Sequence, residues 1–369
     1  MGNYLVSSSP HIFSPRTTRN IMLDVIIALI PCVIASVLIF GFYPLVTVLI
    51  CVASAVLAEF LFNSIRKKPQ TVNDLSAVVT GIILGLNLPP TVPFYVPIVG
   101  SFFAIMVVKM LFGGIGKNFA NPAITARIFL MLCWSSIMTK YVVPINLSQG
   151  LSELFTYLAQ ELNITTATTS ATVNAITSAT PLGGIKSAIE AGTNPAYGLS
   201  ALDMFLGKIG GSAGEVSTLA VLIGGIYLAI RKVIDVKIPI IYIGTTALFT
   251  AIFYANTGYV GEYVWTYLLG GGLVFGAVFM ATDYSTTPNT NLGKIIFALG
   301  CGFLTVILRK FSSMVEGVSF AILLMNIVSP LIERIVPKPF GHHNLSLKEI
   351  IEAKKSVKTQ KAGKGGSNE

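Results

Sequence analysis

Charged residues are scarce in this chain. Asp, Glu, Lys and Arg together make up 11% of its 369 residues, whereas about 25% is usual for a soluble domain. Hydrophobic residues make up 53%, and the mean hydropathy is +0.75. The composition excludes an ordinary soluble domain and predicts an all-α protein that crosses a membrane many times.

Histidine and cysteine are also scarce. The three histidines lie near the ends of the chain, and the four cysteines fall in apolar runs without CxxC spacing. This pattern excludes a zinc, haem or iron–sulfur motif contained in the chain, and we predict no metal site and no catalytic residue. We interpret the cysteines as buried structural thiols, with a ligand to a cluster shared between subunits as the alternative. They are Cys32, Cys51, Cys133 and Cys301.

The net charge of +9 does not indicate nucleic-acid binding. Six of the 25 basic residues are lysines between positions 348 and 364, after the last apolar run. We therefore predict no nucleic-acid partner and a basic tail that lies in water or against anionic membrane lipids. The first apolar run begins at Ile21 and is too long for a cleavable signal.

Ten apolar runs predict about ten transmembrane helices. The runs are 21–40, 42–62, 75–88, 94–112, 124–138, 216–230, 238–254, 265–281, 295–308 and 318–335. Gly41 is predicted to form the turn after the first helix, and Asp74 to cap the short third helix. Polar residues fill the longest interruption, between the fifth and sixth runs.

The two halves of the chain resemble distant copies of each other. Each contains a short or glycine-rich helix, a break, a span and then an asparagine, Asn121 in the first half and Asn326 in the second. Two five-helix repeats would be inverted across the membrane, with short broken helices. The predicted division is a cytoplasmic N-terminus, a first repeat, an outer-face segment, a second repeat and a cytoplasmic tail. Their bounds are 1–20, 21–138, 139–214, 215–336 and 337–369.

Basic residues in the loops predict the orientation. One set of loops holds eight of them, whereas the loops 41–44, 89–93 and 256–262 hold none. The positive-inside rule then places both termini in the cytoplasm and the polar segment on the outer face of the cell inner (cytoplasmic) membrane. Only Arg309 and Lys310 depart from the rule. The eight are Arg66, Lys67, Lys68, Lys117, Arg231, Lys232, Lys237 and Lys294.

Five charged residues lie in or beside the apolar runs. Charges at such positions are costly and are functional candidates by default. We expect Asp24, Lys109 and Asp283 at the membrane interface. Glu59 and Arg127 are predicted to lie inside the bundle, either in a functional site or in structural ion pairs.

Two further motifs have local explanations. The Asn-Pro-Ala at 121–123 and its copy at 194–196 are similar to water-channel motifs, but Asn is also a good N-cap and Pro suits the first helical position. Glu215, beside several glycines, suits the positive end of the helix that follows.

The run of residues 177–180, Thr-Ser-Ala-Thr, is the centre of the polar interruption. Pro181 pushes Thr180 towards an extended backbone, and small neighbours leave room beside its hydroxyl. A low-complexity loop without chemistry is the alternative interpretation. The run resembles the flavinylation motif Asp-x-x-(Ser/Thr)-(Gly/Ser)-Ala-Thr, in which the last threonine carries FMN through a phosphoester. Thr177, Ser178, Ala179 and Thr180 match this motif, and Asn174 replaces its aspartate.

Several stretches in order resemble one family. That family is the membrane D subunit of the Rnf-type ion-translocating ferredoxin:NAD oxidoreductase, related to the B subunit of the sodium-pumping NADH:quinone reductase. The stretches are 74–81, 88–90, 118–123, 177–182, 211–215, 280–283 and 320–326.

The resemblance implies FMN bound covalently at Thr180 and a noncovalent riboflavin inside the bundle. It also implies an electron-relay subunit of a translocase that moves Na⁺ or H⁺, with other membrane and peripheral subunits and a flavin transferase as partners. The chain has no Rossmann fingerprint and therefore no complete active site of its own. A channel or secondary transporter on a similar inverted-repeat fold is the alternative.

Overall fold

The computed structural model describes residues 17–141, 180–191, 200–312 and 316–334, with only the backbone of 188–191. All regular secondary structure in these residues is helical. The described residues up to Glu333 belong to one compact unit.

The described helices are numbered here in chain order. The first half contains α1 (Thr18–Phe40), α2 (Tyr43–Ile65), α3 (Ser76–Leu86), α4 (Tyr95–Met110), α5 (Pro122–Cys133) and α6 (Ser135–Met138). The remainder contains α7 (Pro181–Ala191), α8 (Ala201–Leu206), α9 (Thr218–Ile230), α10 (Lys237–Phe253), α11 (Val260–Leu269), α12 (Leu273–Met280), α13 (Asn291–Phe311) and α14 (Val318–Glu333). The second parts of α4 and α12 are π-helical, over Phe103–Met110 and Gly276–Met280.

Apolar helices dominate the described residues. Helices α1, α2 and α13 are each long and apolar enough to span a membrane, and α11 with α12 forms a fourth candidate that is bent by 54°. Six shorter apolar helices of 10–17 residues accompany them. Every predicted apolar run overlaps a described helix. The chain is thus a helical membrane protein, and the predicted Gly41 turn is present, with a φ of 83°.

Helix α1 has its large apolar side chains on the outside. Its buried face carries small residues, including Ala28, Cys32 and Ser36. Its exposed large residues recur at helical spacing: Leu23, Ile27, Ile30, Ile34 and Leu38. A bilayer solvates such a surface, whereas small residues permit close approach between helices.

The start of α3 differs from the prediction. Asp74 does not cap this helix; it ends a short 3-10 turn, Val72–Asp74, instead. Leu75 then adopts a left-handed conformation with a φ of 60°, and no side chain caps α3. The left-handed residue separates Asp74 from the first turn of the helix.

Helices α1 and α9 pack at a glycine, which gives the first testable prediction. A Cβ at Gly224 would overlap the carbonyl oxygen of Ala28 and approach Phe279 to 2.9 Å. Gly224→Ala should therefore separate the two helices and lower the free energy of unfolding by about 1–3 kcal/mol. The measurement is an unfolding titration in mild detergent. Gly244→Ala is the matched control, because nothing lies within 4 Å of its added Cβ; equal losses in the two variants would contradict the proposed contact.

Candidate functional site

Thr180 lies immediately before helix α7. Its Oγ1 accepts a hydrogen bond from the backbone N–H of Gly183 at 3.1 Å, and its carbonyl accepts one from Gly184 at 2.9 Å. The side chain is buried, with 7% of its surface exposed. The hydroxyl thus lies at the N-terminus of an 11-residue helix, where backbone N–H groups favour an anion.

The rest of the predicted flavinylation run is not described. Thr177, Ser178 and Ala179 lie outside the described residues, so their assignment remains a prediction.

Aromatic residues fix the position of α7. Leu182 and Ile185 pack in an apolar cluster with Tyr254, Tyr263 and Tyr267. The Tyr254 and Tyr263 rings are stacked with centroids 4.2 Å apart, and the Tyr254 and Tyr267 hydroxyls are 2.9 Å apart. The start of α7 is therefore held against α11 and the end of α10.

Three consecutive glycines separate α11 from α12 and face this start. A Cβ at Gly270 would lie 3.3 Å from that of Pro181. A Cβ at Gly271 would lie 2.7 Å from Cδ1 of Leu182, and one at Gly272 would overlap a buried carboxylate. Glycine is required here because backbone and side chains occupy the space that a Cβ needs.

A small cavity lies between Thr180 and this glycine turn. Its volume is about 10 Å³, and its lining includes Ser212, Glu215, Gly271 and Glu316. This is room for about one water molecule. An isoalloxazine ring does not fit into a cavity of this size.

Arg127 is the centre of a buried ionic network beside this cavity. Its guanidinium forms ion pairs with Glu215 and Glu316. It also donates to Oδ1 of Asn87 at 2.7 Å and to Oγ of Ser212 at 3.1 Å. Arg127 is internal as predicted and forms structural ion pairs. It joins α5 to the segments that precede α9 and α14.

Glu215 lies just before α9, as predicted, but it does not cap this helix. Helix α9 begins at Thr218, and the hydroxyl of Ser217 caps it by accepting from the N–H of Ala220. Glu215 binds Arg127 instead, because a buried carboxylate is stabilised more by a cation at contact distance than by a helix end.

Glu59 and Lys109 form a second buried pair. Lys109 Nζ lies 2.8 Å from Oε2 of Glu59 and 2.6 Å from Oγ of Ser76. The hydroxyl of Thr71 donates to the other oxygen of Glu59 at 2.5 Å. Lys109 is buried, with 2% of its surface exposed, and its predicted position at the membrane interface stays a prediction. Glu59 is internal, as predicted.

The other predicted interfacial acids differ from one another. Asp24 is buried and forms an ion pair with the half-exposed Arg231 at 3.1 Å. Asp283 is partly buried, and its carboxylate accepts from the hydroxyl of Ser285 at 3.0 Å. The pairing with Arg231 explains how the carboxylate of Asp24 is tolerated in a buried position.

Arg309, near the end of α13, has incomplete hydrogen bonding. Nη1 donates to the carbonyl oxygen of Tyr267, and the guanidinium lies 5.5 Å from the centroid of that ring. Its Nε and Nη2 have no hydrogen-bond partner in the part of the chain that the structure describes. Nη2 lies 2.9 Å from the position of a Cβ at Gly271.

A larger cavity of about 560 Å³ lies towards the other end of the bundle. Thr18, at the start of α1, lines this cavity. Phe40, at the end of α1, packs on Ile209, which lines the Thr180 cavity. A 23-residue helix is about 34 Å long, so the two cavities lie near opposite ends of α1.

The large cavity contains polar atoms without partners. The side-chain amide of Asn326 and Oδ1 of Asn118 are buried and have no hydrogen-bond partner among the described residues. Asn121 also lines the cavity and caps α5 by accepting from the N–H groups of Ala123 and Ile124 at 3.0 and 3.4 Å. The N-cap interpretation of this asparagine is confirmed. Its copy at 194–196 lies outside the described residues.

The cysteines are not all buried as predicted. Cys32, Cys51 and Cys301 are buried free thiols, but Cys133 is exposed. Cys133 is the last residue of α5, where the side chain leaves the core.

Sequence reasoning missed three parts of this site. They are the glycine turn at 270–272, the carboxylate of Glu316 and the hydroxyl of Tyr141, which donates to Glu316 at 2.6 Å. The three glycines in succession between two apolar runs are a signal that a close contact exists there. Nothing local in the sequence identifies the partners of Arg127, because Glu316 lies 189 positions away.

The fold and the site define a class of protein. It is a helical membrane protein with broken helices, buried ion pairs and a threonine hydroxyl at a helix N-terminus near one end of the bundle. The model of the NQR2, RnfD, RnfE family matches residues 5–341. The chain belongs to this family.

Curated relatives are similar over almost their whole length. The chain is 43% identical over 335 residues to the D subunit of the Na(+)-translocating ferredoxin:NAD(+) oxidoreductase complex of Acetobacterium woodii, covering 90% of this chain and 93% of the relative. It is 39% identical over 345 residues to the proton-translocating counterpart of Clostridium ljungdahlii, covering 92% and 96%. The D subunit of an ion-translocating oxidoreductase complex of Escherichia coli O7:K1 is 31% identical over 348 residues, 92% of this chain and 99% of the relative.

The buried network predicts the effect of removing its cation. Arg127→Met leaves Glu215 and Glu316 without a partner in the interior, which should lower the free energy of unfolding by about 3–5 kcal/mol. Lys208→Met is the control, since Lys208 is largely exposed in its ion pair with Asp203 and should change stability by at most about 1 kcal/mol. Unfolding titrations in mild detergent measure both. A loss below about 1 kcal/mol for Arg127→Met would argue against the network as described.

Proposed function

We propose that this chain is the flavin-carrying electron-relay subunit of a membrane complex. The complex couples electron transfer between ferredoxin and NAD to the translocation of Na⁺ or H⁺. Family membership supports this, because relatives with 39–43% identity are named as the D subunits of such complexes. One of those names specifies Na⁺ and the other protons, so similarity does not select the ion.

The position of Thr180 is the observation that carries the flavin part of the proposal. Its hydroxyl lies at the N-terminus of α7, where Gly183 donates to it. A phosphoester at this oxygen would be stabilised by the helix dipole and the free backbone N–H groups of the first turn. We propose FMN as the group carried, because it has both the phosphate for this bond and a ring for redox chemistry.

The residues around Thr180 hold this attachment point and do no chemistry themselves. The glycine turn at 270–272 allows α7 to approach α11, and the tyrosine cluster fixes that approach. When bound, the flavin supplies the one-electron chemistry, and the protein positions it. A covalent tether also keeps its local concentration high beside an electron acceptor.

We place the noncovalent flavin, proposed as riboflavin, in the large cavity. Its volume of about 560 Å³ lies in the ~300–1,000 Å³ range of small-molecule sites. The unpartnered amide of Asn326 offers both a donor and an acceptor, which suits the alternating imide and carbonyl edge of an isoalloxazine ring. Two flavins near opposite ends of α1 would divide the electron path across the membrane into shorter steps.

Other proteins are required for the rest of the reaction. The chain has no dinucleotide fingerprint in its sequence, so ferredoxin and NAD are assigned to other membrane and peripheral subunits. A flavin transferase is proposed to modify Thr180, and lipids to solvate the apolar outer faces of the helices. We propose the cell inner membrane as its location, with both termini cytoplasmic and Thr180 on the outer face.

Helix packing supports the proposed pair of inverted five-helix repeats. The first helix of each half, α1 and α9, pack on each other, and so do the last helices, α5 and α14. A short third helix, α3, corresponds to the broken pair of α11 and α12. On this proposal the bundle has ten membrane segments, of which the short helices cross only part of the bilayer.

Removing the Thr180 hydroxyl tests the covalent flavin. Thr180→Val keeps the β-branched shape but lacks the oxygen, so the protein should fold and lose all covalent flavin. Electron flow through the complex should fall with it. In-gel flavin fluorescence and mass spectrometry of the peptide that contains residue 180 measure the loss.

Thr177→Val is the matched control, since it removes a nearby hydroxyl and should leave the flavin in place. If the flavin disappears from Thr177→Val and persists in Thr180→Val, the assignment of the residue is wrong. Wild-type protein that carries no flavin after coexpression with a flavin transferase would refute the electron-relay proposal.

Single cysteines test the proposed orientation. In a Cys133→Ser background, the exposed Ser187 on α7 and the exposed Gln70 after α2 are each replaced by cysteine. The cysteine at 187 should react with an impermeant thiol reagent on the outer face of the inner membrane, and the one at 70 only after lysis. The reverse pattern would move Thr180 to the cytoplasmic face.

A further inference from the structure

The described part of the chain buries three cations, and they differ in their contacts. Lys109 forms an ion pair with Glu59, and Arg127 forms ion pairs with two glutamates. Arg309, with 4% of its surface exposed, has no carboxylate within ion-pair distance among the described residues. Arg309 is therefore the buried cation that has no ion-pair partner among the described residues.

The hydrogen bonding of Arg309 is incomplete in one direction. The carbonyl oxygen of Tyr267 accepts from Nη1, but Nε and Nη2 have no acceptor among the described residues. Leaving charged donors without acceptors in a protein interior costs several times more than a neutral hydrogen bond contributes. A ligand that supplies two acceptor oxygens would remove this cost.

The free edge of the guanidinium faces the start of α7. A Cβ placed on Gly271 would lie 2.9 Å from Nη2 of Arg309 and 2.7 Å from Cδ1 of Leu182. Leu182 is the second residue of α7, and Gly271 lines the small cavity together with Thr180. Arg309 and Leu182, which lies two residues after Thr180, therefore meet beside the same glycine, and the guanidinium lies next to the first turn of α7.

Neighbouring cations at this end of the bundle have other contacts. Lys186 Nζ donates to the carbonyl oxygen of Ser312 at 2.5 Å. Lys310 Nζ lies over the rings of Phe253 and Tyr254, 4.6 and 5.2 Å from their centroids. Among the buried cations at this end, Arg309 lacks acceptors in the described residues at both Nε and Nη2, whereas Arg127 lacks one at Nε alone.

The two nearby glutamates do not complete the hydrogen bonding of Arg309. Glu215 and Glu316 act on Arg309 through space, but their oxygens bind Arg127, and Glu316 also accepts from Tyr141. Their charge offsets that of Arg309 while its Nε and Nη2 still lack acceptors. The missing partner is thus an acceptor oxygen at the Gly271 side.

We propose that Arg309 binds the phosphodiester through which Thr180 carries its flavin, an inference that rests on the proposed covalent FMN. The phosphodiester keeps one negative charge and two free oxygens, which match the planar fork of a guanidinium. Arg309 and the first-turn N–H groups of α7 then hold the phosphate from two sides. Arg309 is a positioning residue: it fixes the linkage and takes no part in electron transfer.

The test measures whether Arg309 and the flavin stabilise each other. Wild type and Arg309→Gln are each produced in the complex with and without flavin transferase, and the flavin content is determined by mass spectrometry. Flavinylation should raise the apparent Tm of the wild type by about 3 °C. In the flavinylated Arg309→Gln protein, the increase should be less than half as large.

Two further variants distinguish this role from a structural one. Arg309→Lys keeps the charge without the fork and should retain part of the increase. It also provides the measurement if Arg309→Gln fails to fold. Lys109→Gln removes a buried cation that already has a carboxylate partner, so flavinylation should stabilise it as much as the wild type. Equal increases in wild type, Arg309→Gln and Arg309→Lys would overturn the proposal while leaving the covalent flavin intact.

Two other outcomes also decide the matter. If wild-type protein carries no flavin on Thr180, the proposed function fails and this inference fails with it. If phosphatidylglycerol stabilises unflavinylated wild type but not Arg309→Gln, and phosphatidylcholine has no such effect, the anion is a lipid headgroup. That result overturns the flavin linkage as the ligand of Arg309.

Discussion

The exclusion of water from the helical bundle is the constraint on which the rest of this structure depends. A charge in such an interior is tolerated only beside an opposite charge and enough hydrogen-bond partners. The pairs Glu59–Lys109 and Arg127–Glu215 satisfy this condition with side chains from segments far apart in the chain. Water cannot solvate either partner in the interior, so each charge has to lie beside the other. Each pair therefore specifies which segments are neighbours, whereas apolar contacts alone would not.

Close backbone approach is the second determinant of the architecture. In lipid, apolar side chains gain little by leaving their surroundings, so helices associate where small residues permit tight packing. Gly224 allows α9 to contact the backbone of α1, and the turn at 270–272 admits α7 on one side and Glu215 on the other. The same glycines that break a span therefore create the space in which Thr180 lies.

The sequence predicts the helices better than it predicts their contacts. An apolar run of about 20 residues is long enough to cross the bilayer and so identifies a span directly. Asn121 followed by Pro122 identifies the start of a helix. Both signals are local in the sequence. The partners of Arg127 lie on segments far apart in the chain, and no periodicity encodes their meeting. Lys109 illustrates the same limit, because its partner Glu59 lies 50 positions earlier in the chain.

Arg309 departs from the charge rule that predicts the orientation, and its burial provides the reason. The positive-inside rule concerns basic residues in loops, which stay in water while the chain is inserted. Arg309 lies in the last turn of α13 and is enclosed by Tyr267 and the glycine turn. Arg309 is thus a buried residue of a helix and not a loop residue of the kind on which the rule rests, and Lys310, the other exception, packs against the rings of Phe253 and Tyr254.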